Sequence, residues 1–365
     1  MKTKNYLLLG LFSAALALGF VSCSDDDGDG GDVPVILPNY VAYVLNSGQQ
    51  GENGAVLSYY DFGKRTMTQN IFERVNKIGL GDLGQCVITY GSKIYVSVQG
   101  SNRVYVLNKD CKVLKVITNE GKSFTPKMME AYNGKVYVGS YNDNYVAMID
   151  TAGMVIEKTI NVGLNPEYIK AVNGKLYVAN SGGLNYMNGY NNTVSVLDAG
   201  LTTETTIEVA LNPNVLMTDK NNNLYLLSYG DYGYTYPLTL QQINTTTNEV
   251  SVLSEGHGSG MFIKEERIYL LDKEYQSDGS VKSSFVYYDI DTKQIVNEGF
   301  ITDDTVIDDV SSVNYEEGSG RIFVAAANGV NNGTLYVFTS EGKLQSKFDT
   351  GGAFPTATGV CFVKK

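Results

Sequence analysis

Seven copies of one short motif, an aromatic residue set among β-branched or aliphatic neighbours, decide what this chain can fold into. They are Tyr43-Val44, Ile94-Tyr95-Val96, Val136-Tyr137-Val138, Leu176-Tyr177-Val178, Leu224-Tyr225-Leu226, Ile268-Tyr269-Leu270 and Ile322-Phe323-Val324. The aromatic positions stand 52, 42, 40, 48, 44 and 54 residues apart, close to the roughly 40 to 50 residues of a propeller blade. The fullest copy spans residues 173–198, where two alternating runs, 175–179 and 193–197, flank a connection rich in Gly, Asn and Tyr. A strand ending in the turn pair Asn173-Gly174 precedes it, and another at 205–209 follows. Each copy is thus a meander of four short strands, and the chain reads as an all-β, seven-bladed β-propeller of four-stranded blades.

The termini carry the closure of the ring. First-strand copies stand before the second to seventh aromatic anchors, at 86–90, 128–132, 168–172, 215–219, 261–264 and 313–315, whereas Tyr43 has none before it. The missing copy lies at 359–363, behind Phe354-Pro355, just as 168–172 lies behind Asn165-Pro166. The C-terminal strand is therefore expected to join the first blade and leave no open edge there.

Before the ring, Lys2 and Lys4 introduce an apolar run over 6–21 that reads as a secretory signal, residues 1–22. Phe20-Val21-Ser22-Cys23 has the form of a relaxed lipobox with Cys23 as the lipidated residue. Residues 23–38 follow as an acidic tether with nothing to bury, and 39–365 form the propeller. Losing the leader leaves 26 basic against 39 acidic residues, a net charge of −13; five of those acids lie in the tether, so the ring carries −8. Such a charge opposes binding to nucleic-acid phosphates. Cys86, Cys111 and Cys361 are an odd set, expected as buried thiols. Cys86 and Cys361 read as the same first-strand position of adjacent blades, and a bridge between them is the alternative.

Catalytic machinery is sparse in the sequence. His257, in Gly256-His257-Gly258, is the sole histidine, no cysteine pair has metal spacing, and no glycine-rich phosphate loop follows a strand. Asp303-Asp304 with Asp308-Asp309 offers carboxylates for Ca²⁺ without the spacing of an EF-hand, and reads first as a solvated acidic loop. From these residues the expectation is no resident cofactor, no catalytic residue and no enzyme.

A binding face is easier to find. In a propeller the loops joining strands two and three share one face with the loops joining a fourth strand to the next blade. The first set carries Tyr141 and Asn142; Asn185, Tyr186 and Tyr190; and Tyr229, Tyr232 and Tyr234. The second adds Phe124, Asn165, Asn212, His257 and Phe354. Tyrosine gives rigid amphipathic contact and asparagine gives amide hydrogen bonds, so these are the candidate ligand-binding residues.

Residues 176–180 (Leu-Tyr-Val-Ala-Asn) and 192–198 (Asn-Thr-Val-Ser-Val-Leu-Asp), with Asn165-Pro166 and Asn212-Pro213 before successive first strands, resemble the YVTN-type propeller repeat. Together with the lipobox and the Ser-Asp-Asp-Asp tether, the layout is similar to the Bacteroides surface lipoproteins that capture cobalamin. That resemblance implies an outer-membrane, lipid-anchored, surface-exposed protein that binds vitamin B12 or related corrinoids and passes them to a TonB-dependent transporter. It contacts the membrane through its anchor only. In this setting His257 is a conceivable approach to cobalt, although an exposed loop histidine without that role is the first reading. A glycan-binding propeller is the alternative, opposed by the absence of tryptophan. A lactonase-like enzyme ranks below it.

Overall fold

A computed structural model describes residues 40–364, with side chains to residue 355; the leader, Cys23 and the acidic tether lie outside the described residues. Seven four-stranded antiparallel meanders follow one another: blade 2 over 84–117, blade 3 over 126–161, blade 4 over 166–208, blade 5 over 213–255, blade 6 over 261–296 and blade 7 over 310–349. Blade 1 is composite. Its inner strand is the C-terminal Pro355–Lys364, paired antiparallel with Tyr40–Asn46, which in turn pairs with Val56–Asp61 and then Thr66–Thr68. The inner strands touch their neighbours in a closed circuit from blade 1 round to blade 7 and back. The architecture expected from the repeat and the closure expected from the termini both stand. A parallel bridge between Thr358 and Cys86 joins the ladders of blades 1 and 2.

The recurrent aromatic explains itself in the packing. The second strand of a blade is buried on both faces, so it reads as an unbroken apolar run. In Tyr40–Asn46, Val41, Tyr43 and Leu45 face blade 2 while Ala42 and Val44 face blade 7. The described core divides into seven clusters, one at each interface between adjacent blades. Tyr43, Tyr137 and Tyr177 each reach the turn between strands three and four of the next blade. Tyr137 Oη donates to Ala199 O at 2.6 Å, Tyr177 Oη donates to Thr245 O at 3.2 Å, and Cys111 Sγ lies 3.6 Å from Tyr43 Oη. In these three blades the anchor fills the interface with a ring and meets the next blade with its hydroxyl.

Those turns repeat as well. The third strand ends, or is directly followed, by Asp61, Asn108, Asp150, Asp198, Asn244 or Asp289, whose side-chain oxygen accepts one or more N–H groups of the turn that follows. An Asx side chain there replaces the ladder partners that the turn has lost.

One register differs from the sequence reading. Cys361 lies opposite Tyr43, but the residue opposite Tyr95 is Ile88, and Cys86 lies opposite Ser97. Cys86 stands two residues before the partner of its anchor, whereas Cys361 is the partner of its own, so the two cysteines are not equivalent positions. Cys86 and Cys111 are buried, and the Cys361 side chain lies outside the described residues.

Candidate functional site

On the loop face, each blade's entry loop and its own second-to-third connection are laced together by main chain. Tyr141 N donates to Thr125 O at 2.9 Å, Ser181 N to Asn165 O at 3.1 Å, and Tyr229 N to Asn212 O at 2.9 Å. The residues before Pro166, Pro213 and Pro355, namely Asn165, Asn212 and Phe354, all sit at positive φ, where asparagine is better tolerated than most residues. Asn165 Nδ2 donates to Tyr141 O at 2.9 Å and its Oδ1 accepts from Leu184 N at 3.1 Å. Asn212 is buried, with Oδ1 accepting from Asn214 Nδ2. Both asparagines shape the loops, and neither presents its amide at the surface. Phe124, only 2 % exposed, packs into the core between blades 2 and 3. Phe354 is half-buried, and its carbonyl accepts from Ser47 N.

Two connections build the exposed part of the face. In blade 4, residues 183–188 form a short 3₁₀ helix between left-handed Gly182 and Gly189, lifting Leu184, Tyr186 and Met187 into solvent. Asn185 Oδ1 accepts from Asn188 Nδ2 within it. In blade 5, the Asp231 carboxylate accepts N–H bonds from Thr235 and Tyr236 at 2.8–2.9 Å and so closes the loop on itself. Desolvation pushes that carboxyl up, but the N–H donors outweigh it and hold it below the usual range. Closed in this way, the loop turns Tyr232, Tyr234 and Tyr236 outward, Tyr234 being 90 % exposed.

Between these connections the rings meet. Tyr232 stands 6.2 Å from Tyr190 at 66° and 6.3 Å from Tyr229 at 43°, within the range of favourable edge and tilted contacts. Tyr229 Oη donates to Ser259 O at 3.0 Å. Tyr141 lies beside this series, its ring under Lys127 Nζ at 3.9 Å, and Lys127 pairs with Glu167 at 2.6 Å. A Cβ on Gly183 would fall 2.2 Å from Tyr141 Oη, so the glycine makes room for that hydroxyl. Desolvation raises the phenols of Tyr141, Tyr190, Tyr229 and Tyr232. At neutral pH all four are hydrogen-bond donors and none is an anion.

Asn142 is exposed at the tip of the blade 3 connection. His257 Nδ1 lies 2.7 Å from Asp272 Oδ2, and Asp272 Oδ1 accepts from Gly258 N. A carboxylate can only accept, so Nδ1 is the donor in this contact. The carboxylates near residue 303 do not converge. Asp303 accepts from Thr305 and Leu344 N–H groups, while Asp309 lies 3.6 Å from Lys273 Nζ. Among the described residues no group of three His, Cys, Asp or Glu side chains is placed to hold a metal ion.

Sequence reasoning thus found Tyr190, Tyr229 and Tyr232, which meet, Tyr141 beside them, and Tyr186 and Tyr234, which are exposed on the same connections. It missed Lys127, Glu167, Asp272 and Met187. Lys127 and Glu167 directly follow the prolines that begin their strands, a position that repeats between blades 3 and 4.

No protein-family model matches the chain, and no curated protein matches it. Solved propellers do match in fold. A putative 6-phosphogluconolactonase from Bacteroides uniformis superposes with a TM-score of 0.61 at 10% identity, over 89% of this chain and 100% of that one. The periplasmic gluconolactonase of Pseudomonas aeruginosa gives 0.58 at 10%, over 89% and 99%. A protein of unknown function from Bacteroides caccae gives 0.52 at 11%, over 90% and 100%. At these identities the likeness is one of fold. It nonetheless overturns the expectation that the chain is no enzyme. That exclusion rested on missing histidines and metal spacings, and two matching propellers of this length carry lactonase names.

Proposed function

We propose that the loop face of blades 3 to 5 captures a corrinoid, and that the chain is a lipid-anchored lipoprotein of the outer-membrane surface that delivers this ligand to a TonB-dependent transporter. The observation that supports the reading most is the continuous Tyr229, Tyr232 and Tyr190 ring series, protonated at neutral pH and bordered by exposed Tyr186 and Met187. A corrin presents a broad, mostly apolar face fringed with amides. Ring faces cover the first, and phenol O–H groups donate to the amide carbonyls. Lys127 is neutralised by Glu167 in the same region, which suits a ligand whose periphery is largely uncharged.

A second reading, lactone hydrolysis, comes from the names of the B. uniformis and P. aeruginosa propellers. One experiment separates the two. The full chain in mild detergent is passed with cyanocobalamin through a desalting column, and the visible spectrum of the protein fraction is read. Co-elution at one ligand per chain, lost in Tyr232→Ala, supports capture. A colourless folded protein rejects it, and hydrolysis of gluconolactones is then the assay that decides the second reading.

A further inference from the structure

A groove of about 750 Å³ opens between blades 4 and 5, with Tyr190 of the ring series in its lining. Tyr186 and Tyr190 line it from blade 4, Tyr236 from blade 5, and the third strand of blade 5 contributes Gln241. Gln241 is only 3 % exposed. Its Oε1 accepts from Ala210 N at 2.9 Å and from Ser228 Oγ at 3.3 Å, which fixes the amide's orientation. Nε2, the other end of that amide, has no protein acceptor. Nε2 is not sealed away like the buried polar atoms that lack a partner, so this end of the amide offers a donor to whatever occupies the groove.

The rest of the lining narrows what that ligand is. Glu255 is exposed along the groove and has no ion-pair partner among the described residues. Asp231 also borders it, but both its oxygens already accept from Thr235, and Oδ1 from Tyr236 as well. No Lys or Arg lines the groove, so a phosphate, sulfate or carboxylate would find no counter-charge. A quaternary ammonium would favour the rings and Glu255 but leave the Gln241 amide unsatisfied. A group with an apolar C–H face for the tyrosine rings and hydroxyls that accept from an amide and donate to a carboxylate fits this lining. We infer that this groove is a second binding site, for a neutral saccharide unit, sharing Tyr190 and the bordering Tyr186 and Met187 with the proposed corrinoid face.

The test titrates the full chain by calorimetry with neutral di- and trisaccharides of gluco, galacto, manno and xylo configuration, and with choline and inorganic phosphate as charged probes. At least one saccharide is expected to bind one per chain. Gln241→Glu, which keeps an acceptor for Ala210 and Ser228 but removes the donor, should weaken it tenfold or more. Tyr236→Ala, at an exposed side chain that folding does not require, should do the same and reports even if the buried glutamate prevents folding. The inference is overturned if no saccharide binds, if choline or phosphate binds in its place, or if Tyr236→Ala leaves saccharide affinity within twofold of the parent.

Discussion

Lys127 Nζ sits 3.9 Å above the Tyr141 ring while its charge is met by Glu167 at 2.6 Å, with the side chains only 16 % and 12 % exposed. One ammonium therefore ties the first strand of blade 3 to that of blade 4 and holds a tyrosine of the loop face in place. Removing only the carboxylate strands a poorly solvated cation, which is more damaging than removing both charges. Glu167→Gln should cost about 2–4 kcal/mol in urea unfolding, and Lys127→Met combined with Glu167→Gln should recover part of that loss.

The interface tyrosines make a second prediction. Tyr177 Oη donates to Thr245 O across the boundary of blades 4 and 5, and the ring is fully buried. Tyr177→Phe keeps the ring and leaves the Thr245 carbonyl without that donor, a loss of about 0.5–1.5 kcal/mol. Tyr177→Ala also opens a cavity between blades and should cost about 3–5 kcal/mol. Thermal unfolding of the two variants checks both the magnitudes and their order.

The same residues show why the ring was legible in the sequence. A strand buried on both faces has no polar alternation to erode, so Tyr43, Tyr95, Tyr137, Tyr177, Tyr225, Tyr269 and Phe323 keep their pattern where outer strands such as Val113–Ile117 lose theirs. Closure was legible because Tyr43 has no strand before it. The loop face was legible only as a set of segments. Spacing assigns a residue to a loop but not the direction of its side chain. Phe124 turns into the core, Asn165 bonds neighbouring backbone, and Tyr232 stands in solvent, although all three lie in equally turn-rich sequence. The blade 6 hairpin, Arg267–Tyr275 against Val281–Asp289, outgrows its blade without any local sign of where pairing stops.

Asp143 gives a pH-dependent prediction. Burial raises its pKa, but hydrogen bonds from Ser140, Ser123 and Thr125 outweigh this and hold the carboxyl below its usual range. The bond from Ser140 Oγ at 2.6 Å closes the blade 3 connection on its own strand, and the one from Thr125 Oγ1 at 2.9 Å fastens that connection to its entry loop. A depressed folded pKa contributes stability that is present above the unfolded value of about 3.9 and is lost as pH falls through the folded one. Asp143→Asn should therefore cost about 1 kcal/mol near pH 7, solvent access keeping the figure small. The difference from the parent should hold down to about pH 5 and close below about pH 4, as followed by urea unfolding across that range.

Tyr141 and Tyr229 of the loop face, with Tyr168 of the first strand of blade 4, predict the alkaline limb. Burial raises the phenols of Tyr141, Tyr168 and Tyr229 in the folded chain. For an acid whose folded pKa is raised, the neutral form is the one the fold favours. Its contribution is complete below the unfolded value of about 10 and is lost as pH climbs toward the folded value. Stability should therefore stay level from pH 7 to about 9 and fall steeply above 10. With no tryptophan in the chain, absorbance at 295 nm reads tyrosine ionisation directly. A titration should show one fraction of phenols ionising reversibly and a second appearing only together with loss of the β-sheet circular dichroism signal. Replacing Tyr229 by Phe should remove one phenol from the second fraction and leave the first unchanged. If every tyrosine ionised reversibly while the sheet signal persisted, Tyr141, Tyr168 and Tyr229 would be open to water in the folded chain, and the burial argued for them would not exist in solution.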